Sequence, residues 1–564
     1  MQDSIFAWIK GAEEEPLLDL TVHGLLTQTV ERHGAREALV ARHQGIRWSY
    51  MELAAEVDRL ARALLALGIG PGDRVALCAP NRAEWIVTQY ATASIGAILV
   101  SLNPAYRAAE LRFALDKTGA KALFIAERFK SSDYVAILRE IAPELGAAEA
   151  GDLRLAALPE LRAIVCFGGR TGEGLLAYDE ALGLGEGVRQ EELDRLRATL
   201  RPDDRINIQF TSGTTGQPKG ATLTHRNIVN NGRFTGRRMG FTHADRLCIA
   251  VPLFHCLGLV MSSLACVSHG ATMVLSCEGF DAGTVLRTIQ EERCTALNGV
   301  PTMFIAQLAH PEFEHFDLSS LRTGIVTGAP CPIEMMRRIV RDMGMREVTI
   351  AFGMTETSPV IFQTGVDETL ERRVTTVGRV HPHVEVRLVD EAGRPVRRGE
   401  RGEVCVRGYS VMHGYWRDPD KTAEAIDPGG WMHTGDIAVL DRDGYLNVVG
   451  RLKDMVIRGG ENLFPREIEE FLATHPAVQQ VQVFGVPDAK YGEELCAWIV
   501  PRPGSTIAEA DIRTFCEGRI SHQKIPRYLR FVDAIPVTAS GKAVKSEMRR
   551  AMIDELSLRE MRTA

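Results

Sequence analysis

The stretch IQFTSGTTGQPKGATLTH, residues 208–225, decides the reading of this chain. An apolar, β-forming lead runs into hydroxyl side chains and glycines and ends in Pro218, Lys219 and Gly220. Glycines let backbone N–H groups approach an anion, hydroxyls donate hydrogen bonds, and a lysine adds a point charge. That combination suits a polyphosphate. It is not a Walker A loop, because no G-x-x-x-x-G-K-[ST] can be read here. A plain linker would not need a buried-strand lead followed by Pro-Lys-Gly.

Outward from this loop the chain reads as layered α/β architecture. Apolar residues recur at helical spacing from Tyr50 to Leu67, RVALCAP follows as a buried strand, and a second helical pattern at Glu84 to Ile95 precedes the apolar AILVSLN. Such alternation predicts helices packed on sheets. The glycines at 68, 70 and 72 do not follow G-x-G-x-x-G and come before a strand, so they read as a turn. The Ala/Gly-rich segment 145–152 reads as a loose surface excursion. VEVRLVD, EVCVRGY and AVLDRDGYLNVVG predict short antiparallel strands with an Asp-Gly turn at Asp443 and Gly444. Beyond Gly450 a helix near Pro465, the strand VQQVQVFGV and a helix near Ala508 to Gly518 make a separate α+β unit.

Composition narrows the function classes. With 564 residues, 45% hydrophobic and 25% charged, the chain is globular and allows two to four domains. A net charge of −7 excludes nucleic acid as the main partner. The eleven cysteines contain no Cys-x-x-Cys, which argues against a zinc site or disulfide framework. The opening MQDSIFAWIKGAEEE has no basic stretch before an apolar run, and no uninterrupted apolar run approaches the ~20 residues of a membrane helix. A cytoplasmic setting without an integral membrane segment is the expectation. Phe6, Trp8 and Ile9 are read as packed on the body in preference to a peripheral membrane contact. Lysine is scarce, 11 against 55 arginines, and four of the eleven (Lys219, Lys453, Lys542 and Lys545) fall in the segments singled out here.

TSGTTGQPKG resembles the phosphate loop of the adenylate-forming (AMP-binding) superfamily. VPLFHCLGL at 251–259, TGAPCP at 327–332, AFGMTETSP at 351–359, WMHTGD at 431–436, GRLKDMVIRGGENLFPREIEE at 450–470 and VTASGKAVK at 537–545 follow in that family's order. MHGYWRDPDKTAEAI, GWMHTGD and RGGENLFPREIEEFLATHP are most similar to its medium-chain fatty acyl-CoA ligase branch. The resemblance implies an α/β fold: a large N-terminal adenylation region, 1–451, of layered sheets plus a β-barrel-like part, and a small mobile α+β domain, 452–564, hinged near Lys453. It implies ATP, Mg²⁺ and coenzyme A, a fatty acid as substrate, and formation of acyl-CoA through an acyl-adenylate. A fatty acyl-AMP ligase loading a carrier in trans, an aryl- or branched-acid ligase and a catalytically silent nucleotide-binding module are the alternatives. Oligomeric state stays open.

The site residues follow from the same resemblance. Thr211, Ser212, Gly213, Thr214, Thr215, Gly216 and Lys219 form the phosphate loop. Thr355 meets the α-phosphate and Glu356 the Mg²⁺, a hard cation that takes carboxylate and phosphate oxygens. Gly328, Ala329, Pro330, Phe352, Gly353 and Met354 surround the adenine, with phenylalanine at 352 where many relatives have tyrosine. Asp436 accepts from the ribose hydroxyls, Arg451 contacts ribose and phosphate, and Lys542 reaches the forming acyl phosphate. His433, beside Asp436, reads as structural. His255 lies in an apolar strand-turn bordering the carboxylate. It lines the acyl pocket with Val300, Thr302, Met303 and Gly353, and the missing side chain at Gly353, where acetate-specific relatives carry tryptophan, points to a deeper pocket. Gly459 and Gly460 would line the coenzyme A tunnel after domain rotation. His381 and His383 have metal-chelating spacing but no third ligand nearby, so they read as structural.

Overall fold

The computed structural model describes residues 5–211, 218–329, 331, 333–459, 461–488, 490–538 and 541–558. Ser212, Gly213, Thr214, Thr215, Gly216, Pro330 and Gly460 lie outside the described residues.

Two sheets organise the first 380 residues. In the first, the strand Arg74–Cys78 lies between the parallel strands Ile98–Ser101 and Ala122–Ala126. Ile98–Ser101 then pairs in parallel with Arg205–Thr211, which turns back antiparallel onto Lys219–Thr224. In the second, Thr323–Val326 lies between Ala296–Gly299 and Glu347–Gly353, all parallel. Strands buried on both faces are mainly apolar, and Ile98–Ser101 and Thr323–Val326 are buried at every position. Helices fill the space between. Ala83–Ser94 has eleven of its twelve residues buried, which is why its apolar pattern is weakly one-sided. His225–Arg238 comes so close to the following helical segment that a Cβ on Gly232 would stand 2.8 Å from Leu264 Cβ.

The expected helix over Tyr50 to Leu67 is Tyr50–Ala66, started by a capping box between Ser49 and Glu52. Two local expectations are corrected. The 145–152 excursion is partly ordered: Pro143–Ala147 is a 3₁₀ turn anchored by the buried Leu145. His255 does not sit in a strand-turn; it caps a helical segment, Cys256–Gly258, that continues through the π-helical turn Leu259–Leu264.

An antiparallel sheet follows, in the order Trp8–Lys10, Val384–Val389, Arg401–Gly408, Met432–Leu440, Leu446–Arg451. The N-terminal segment is an edge strand of it. Trp8 Nε1 donates to Glu385 at 2.8 Å and its ring stands edge-on to Trp431, while Phe6 remains 43% exposed. His381 and His383 are engaged separately, His381 Nε2 at 3.0 Å from Gln363 Oε1 and His383 Nε2 at 2.6 Å from the Glu15 carbonyl.

The C-terminal unit pairs Val478–Asp488 with Gly492–Pro501 and packs the helices Pro465–Leu472 and Lys545–Glu555 against the former strand. Its apolar clusters begin at Val456, whereas the main core ends at Leu446. Lys453 lies exposed between them in the short turn Leu452–Asp454. Among the described residues no helix is long and apolar enough to cross a membrane.

Candidate functional site

The carboxyl ends of parallel strands in open α/β sheets are where ligands bind. Here Thr211, Val300, Thr327 to Ala329 and Gly353 to Glu356 all follow or end such strands. Thr211 Oγ1 donates to Glu356 Oε1 at 3.3 Å, so the phosphate loop's leading strand and the Thr355–Thr357 turn are joined. Glu356 is 5% exposed, and its carbonyl accepts from Met412 N–H at 2.8 Å.

A residue that sequence reasoning missed completes this corner. Tyr415 Oη donates to Glu356 Oε1 at 2.8 Å, and Lys219 Nζ stands 4.4 Å from the centre of the Tyr415 ring. The short strand Gly414–Tyr415 pairs with Lys219–Thr224, which is how a residue 59 positions from Glu356 arrives there. The tripeptide Gly-Tyr-Trp next to the phosphate loop's return strand is visible in the sequence only as family wording.

Opposite this corner Asp436, 3% exposed, accepts from Arg451 Nε at 2.8 Å across the hairpin that joins their strands. The C-terminal unit contributes Lys542. A Cβ on Gly328 would lie 3.9 Å from Lys542 Cε, and one on Gly541 would meet Val300 Cγ2 at 2.7 Å and Thr302 Oγ1 at 2.8 Å. The Gly541–Lys542 tip therefore fills the groove between Gly328 and the start of the helix Pro301–Leu308.

The residues 26–416 match the family model described as AMP-binding enzyme, and 467–542 match the AMP-binding enzyme C-terminal domain. The chain belongs to the AMP-binding enzyme family. It is 47% identical to YngI of Bacillus subtilis (strain 168), named as an acyl-CoA synthetase, over 96% of this chain and 99% of that one. It is 42% identical to human (Homo sapiens) mitochondrial medium-chain acyl-CoA ligase ACSF2, over 98% and 91% of the two chains. Among solved structures it superposes on the anthranilate CoA ligase AuaEII in complex with anthranoyl-AMP with a TM-score of 0.83. That pair is 26% identical, covering 97% of this chain and 99% of the other.

The electrostatics of this AMP-binding enzyme centre on Lys542. Burial and the Arg451 guanidinium push its ammonium below the usual lysine range, while Asp436, Glu356 and Cys256 oppose the shift. Burial raises the Asp436 carboxyl, against the pull of Arg451 and Lys542. The buried Cys256 thiol donates to Gln209 Oε1 at 3.0 Å and is pushed up to about 12 by burial and by Glu356, with the Thr355 side chain beside it. His255 is held down at about 4 by burial and then by the Lys542 charge, so its imidazole is neutral at ordinary pH.

The described structure thus brings together Thr211, Lys219, Glu356 and Tyr415, and separately Asp436, Arg451 and Lys542 with Gly328, Val300 and Thr302. Phe352 and Met354 are half-buried against the main core, Ala329 is exposed, and Met303 is buried within its helix. Gly459 stays within the C-terminal unit, its N–H donating to the Tyr491 carbonyl at 2.8 Å. Lys545 also serves that unit internally, its ammonium bonded to Glu469 at 2.7 Å. Gly353 has a packing reason beside its expected place in the acyl pocket. A Cβ there would lie 1.8 Å from the Pro359 carbonyl oxygen and 3.1 Å from Ile361 N, so the returning chain itself requires glycine.

Two expected results arise here. Tyr415→Phe removes a hydrogen bond to a charged group, which contributes about 1.5–3 kcal/mol, so the Mg²⁺·ATP concentration giving half-maximal pyrophosphate exchange should rise ~10-fold or more. An unchanged Mg²⁺·ATP dependence would deny Tyr415 that part. For His255 the sign follows from protonation. The unfolded side chain binds a proton near ~6.5 and the folded one near 4, so the unfolded state takes up more protons between them. Stability associated with neutral His255 is complete above the unfolded value and is lost as pH falls toward the folded value. His255→Phe should accordingly show a smaller drop in Tm from about pH 7.5 to about pH 5 than the native chain.

Proposed function

We propose that this chain is an ATP-dependent fatty acid–CoA ligase. A carboxylate oxygen attacks the α-phosphorus of ATP, the bond to the bridging oxygen breaks, and acyl-adenylate and pyrophosphate form. The sulfur of coenzyme A then attacks the acyl carbonyl, and the C–O bond to AMP breaks. Adenylation turns a carboxylate, whose leaving group would be an oxide ion, into an acyl donor that releases AMP.

One observation carries this reading: Lys542 of the C-terminal unit, though solvent still reaches it, stands beside Gly328 of the large region and within the charge field of Arg451, Asp436 and Glu356. A fixed ammonium at the meeting point of a carboxylate and an α-phosphate stabilises charge that develops in the first step. Lys219 and the phosphate loop would hold the outer phosphates. Asp436 and Arg451 would bind the ribose, and Thr355 the α-phosphate. Glu356 fits Mg²⁺, being a buried carboxylate whose described hydroxyl donors, Thr211 and Tyr415, both fall on Oε1. The ion would neutralise phosphate charge there. The second step requires Lys542 to leave, and a division at 451–452 with rotation about Lys453 would allow it. Leu452 and Ile457, apolar yet 48% and 50% exposed beside that turn, support a connector that packs differently in another arrangement.

Medium-chain acids are the favoured substrates, supported by the name of the ACSF2 relatives and by the apolar Val300 against the Gly541–Lys542 tip. A cytoplasmic setting suits eleven free thiols. The test measures pyrophosphate exchange and thioester formation over acids from acetate to stearate, with aromatic acids as a further arm. Optimal thioester formation with medium-length acids is the expected result. Exchange without any thioester on adding coenzyme A would favour a carrier-loading ligase, and neither activity with any acid would sink the proposal.

A further inference from the structure

Asp436 reaches the site through an irregularity in the antiparallel sheet. Arg401–Gly408 and Met432–Leu440 pair Glu403 with Ile437 and next Cys405 with His433. Val404 alone therefore faces Thr434, Gly435 and Asp436. A bulge of this kind re-aims side chains and takes backbone donors and acceptors out of the ladder.

Two side chains supply the missing bonds. Thr434 Oγ1 donates to the Val404 carbonyl at 2.8 Å and accepts from Asp436 N–H at 3.1 Å. Glu403 spans the rest: Oε1 accepts from Gly435 N–H at 3.0 Å, and Oε2 lies 2.9 Å from His433 Nδ1. Gly435 itself has φ +69°, a left-handed turn that favours glycine. His433 Nε2 lies 3.9 Å from Asp427 Oδ2, so the imidazole stands between two carboxylates.

We infer that Glu403 is a positioning residue for nucleotide binding, its two carboxylate oxygens holding the His433–Gly435 turn in the shape that aims Asp436 at the ribose. The inference rests on the ribose role proposed for Asp436. Glu403, Cys405 and His433 also lie within reach of one common metal ion, but the positive Arg387 guanidinium beside Cys405 opposes a cation there. The clamp explains both oxygens of Glu403 and the sheet irregularity together.

The experiment compares ATP with 3′-deoxy-ATP in pyrophosphate exchange by the full chain. Glu403→Ala and Glu403→Gln should raise KM for ATP about tenfold while moving KM for 3′-deoxy-ATP by no more than about twofold, with kcat little changed. Glu403→Asp, which keeps the carboxylate on a shorter stem, should restore part of the preference for ATP. Equal losses with both nucleotides would overturn the inference, because a merely structural residue does not distinguish a ribose hydroxyl. Where Glu403→Ala fails to fold, the near-isosteric Glu403→Gln carries the same comparison. Asp436→Ala is the separate control: it should erase the preference outright, and if it does not, the ribose reading itself fails and the clamp falls with it.

Discussion

Lys542→Ala should lower carboxylate-dependent pyrophosphate exchange by about 10²–10³-fold, the scale of removing one donor preorganised for developing charge. The same variant, supplied with acyl-adenylate and coenzyme A, should form thioester at close to the native rate. The asymmetry follows from where the lysine sits. Its tip is wedged between Gly328 and Val300, and its ammonium is influenced by Arg451, Asp436 and Glu356. That arrangement serves charge forming at phosphorus, which belongs to the first step alone. Arginine should not rescue it, since a planar guanidinium cannot replace a compact ammonium in a slot of this size. Equal loss of both half-reactions would show that Lys542 supports the structure and not the first chemical step.

The second large effect is on stability. Gly353→Ala should destabilise the protein by ~3 kcal/mol or more, because overpacking against backbone leaves no side-chain rotamer to give way. The new Cβ would overlap the Pro359 carbonyl, which also accepts the Met354 N–H bond that shapes the turn into Glu356. Denaturant midpoints measure this directly. A folded Gly353→Trp enzyme with a shortened acyl preference would show that the returning chain can give way and that this position opens on the acyl pocket.

Much of the site was legible because each motif carries its chemistry locally. Lys219 after a glycine-rich loop, Glu356 after Thr355, and Lys542 after Ser-Gly are residue types whose spacing has a physical purpose. In a chain that uses arginine for most of its positive charge, such lysines stand out. The reading failed where a neighbour distant in sequence decides the outcome. Tyr415 acquires its meaning from Glu356, 59 positions away, and from a two-residue strand that no periodicity would reveal. Gly353 reads in the sequence as absent volume, and only the fold shows that the Pro359 carbonyl also packs against it. His433 read as structural, and it is held by Glu403, yet the turn they share leads straight to Asp436.

By itself the sequence determined the layered α/β class, the family, and the order in which charged and hydroxyl groups occur, since apolar periodicity and residue chemistry act over short spans. Tertiary structure alone decided which of those groups meet. Sheet pairing joins Thr211 to Glu356, a hairpin joins Asp436 to Arg451, and the docking of the C-terminal unit places Lys542 among them. Electrostatic and steric effects fall off over a few ångströms of space, whatever the separation along the chain, so partners, pKa shifts and clashes are properties of the fold.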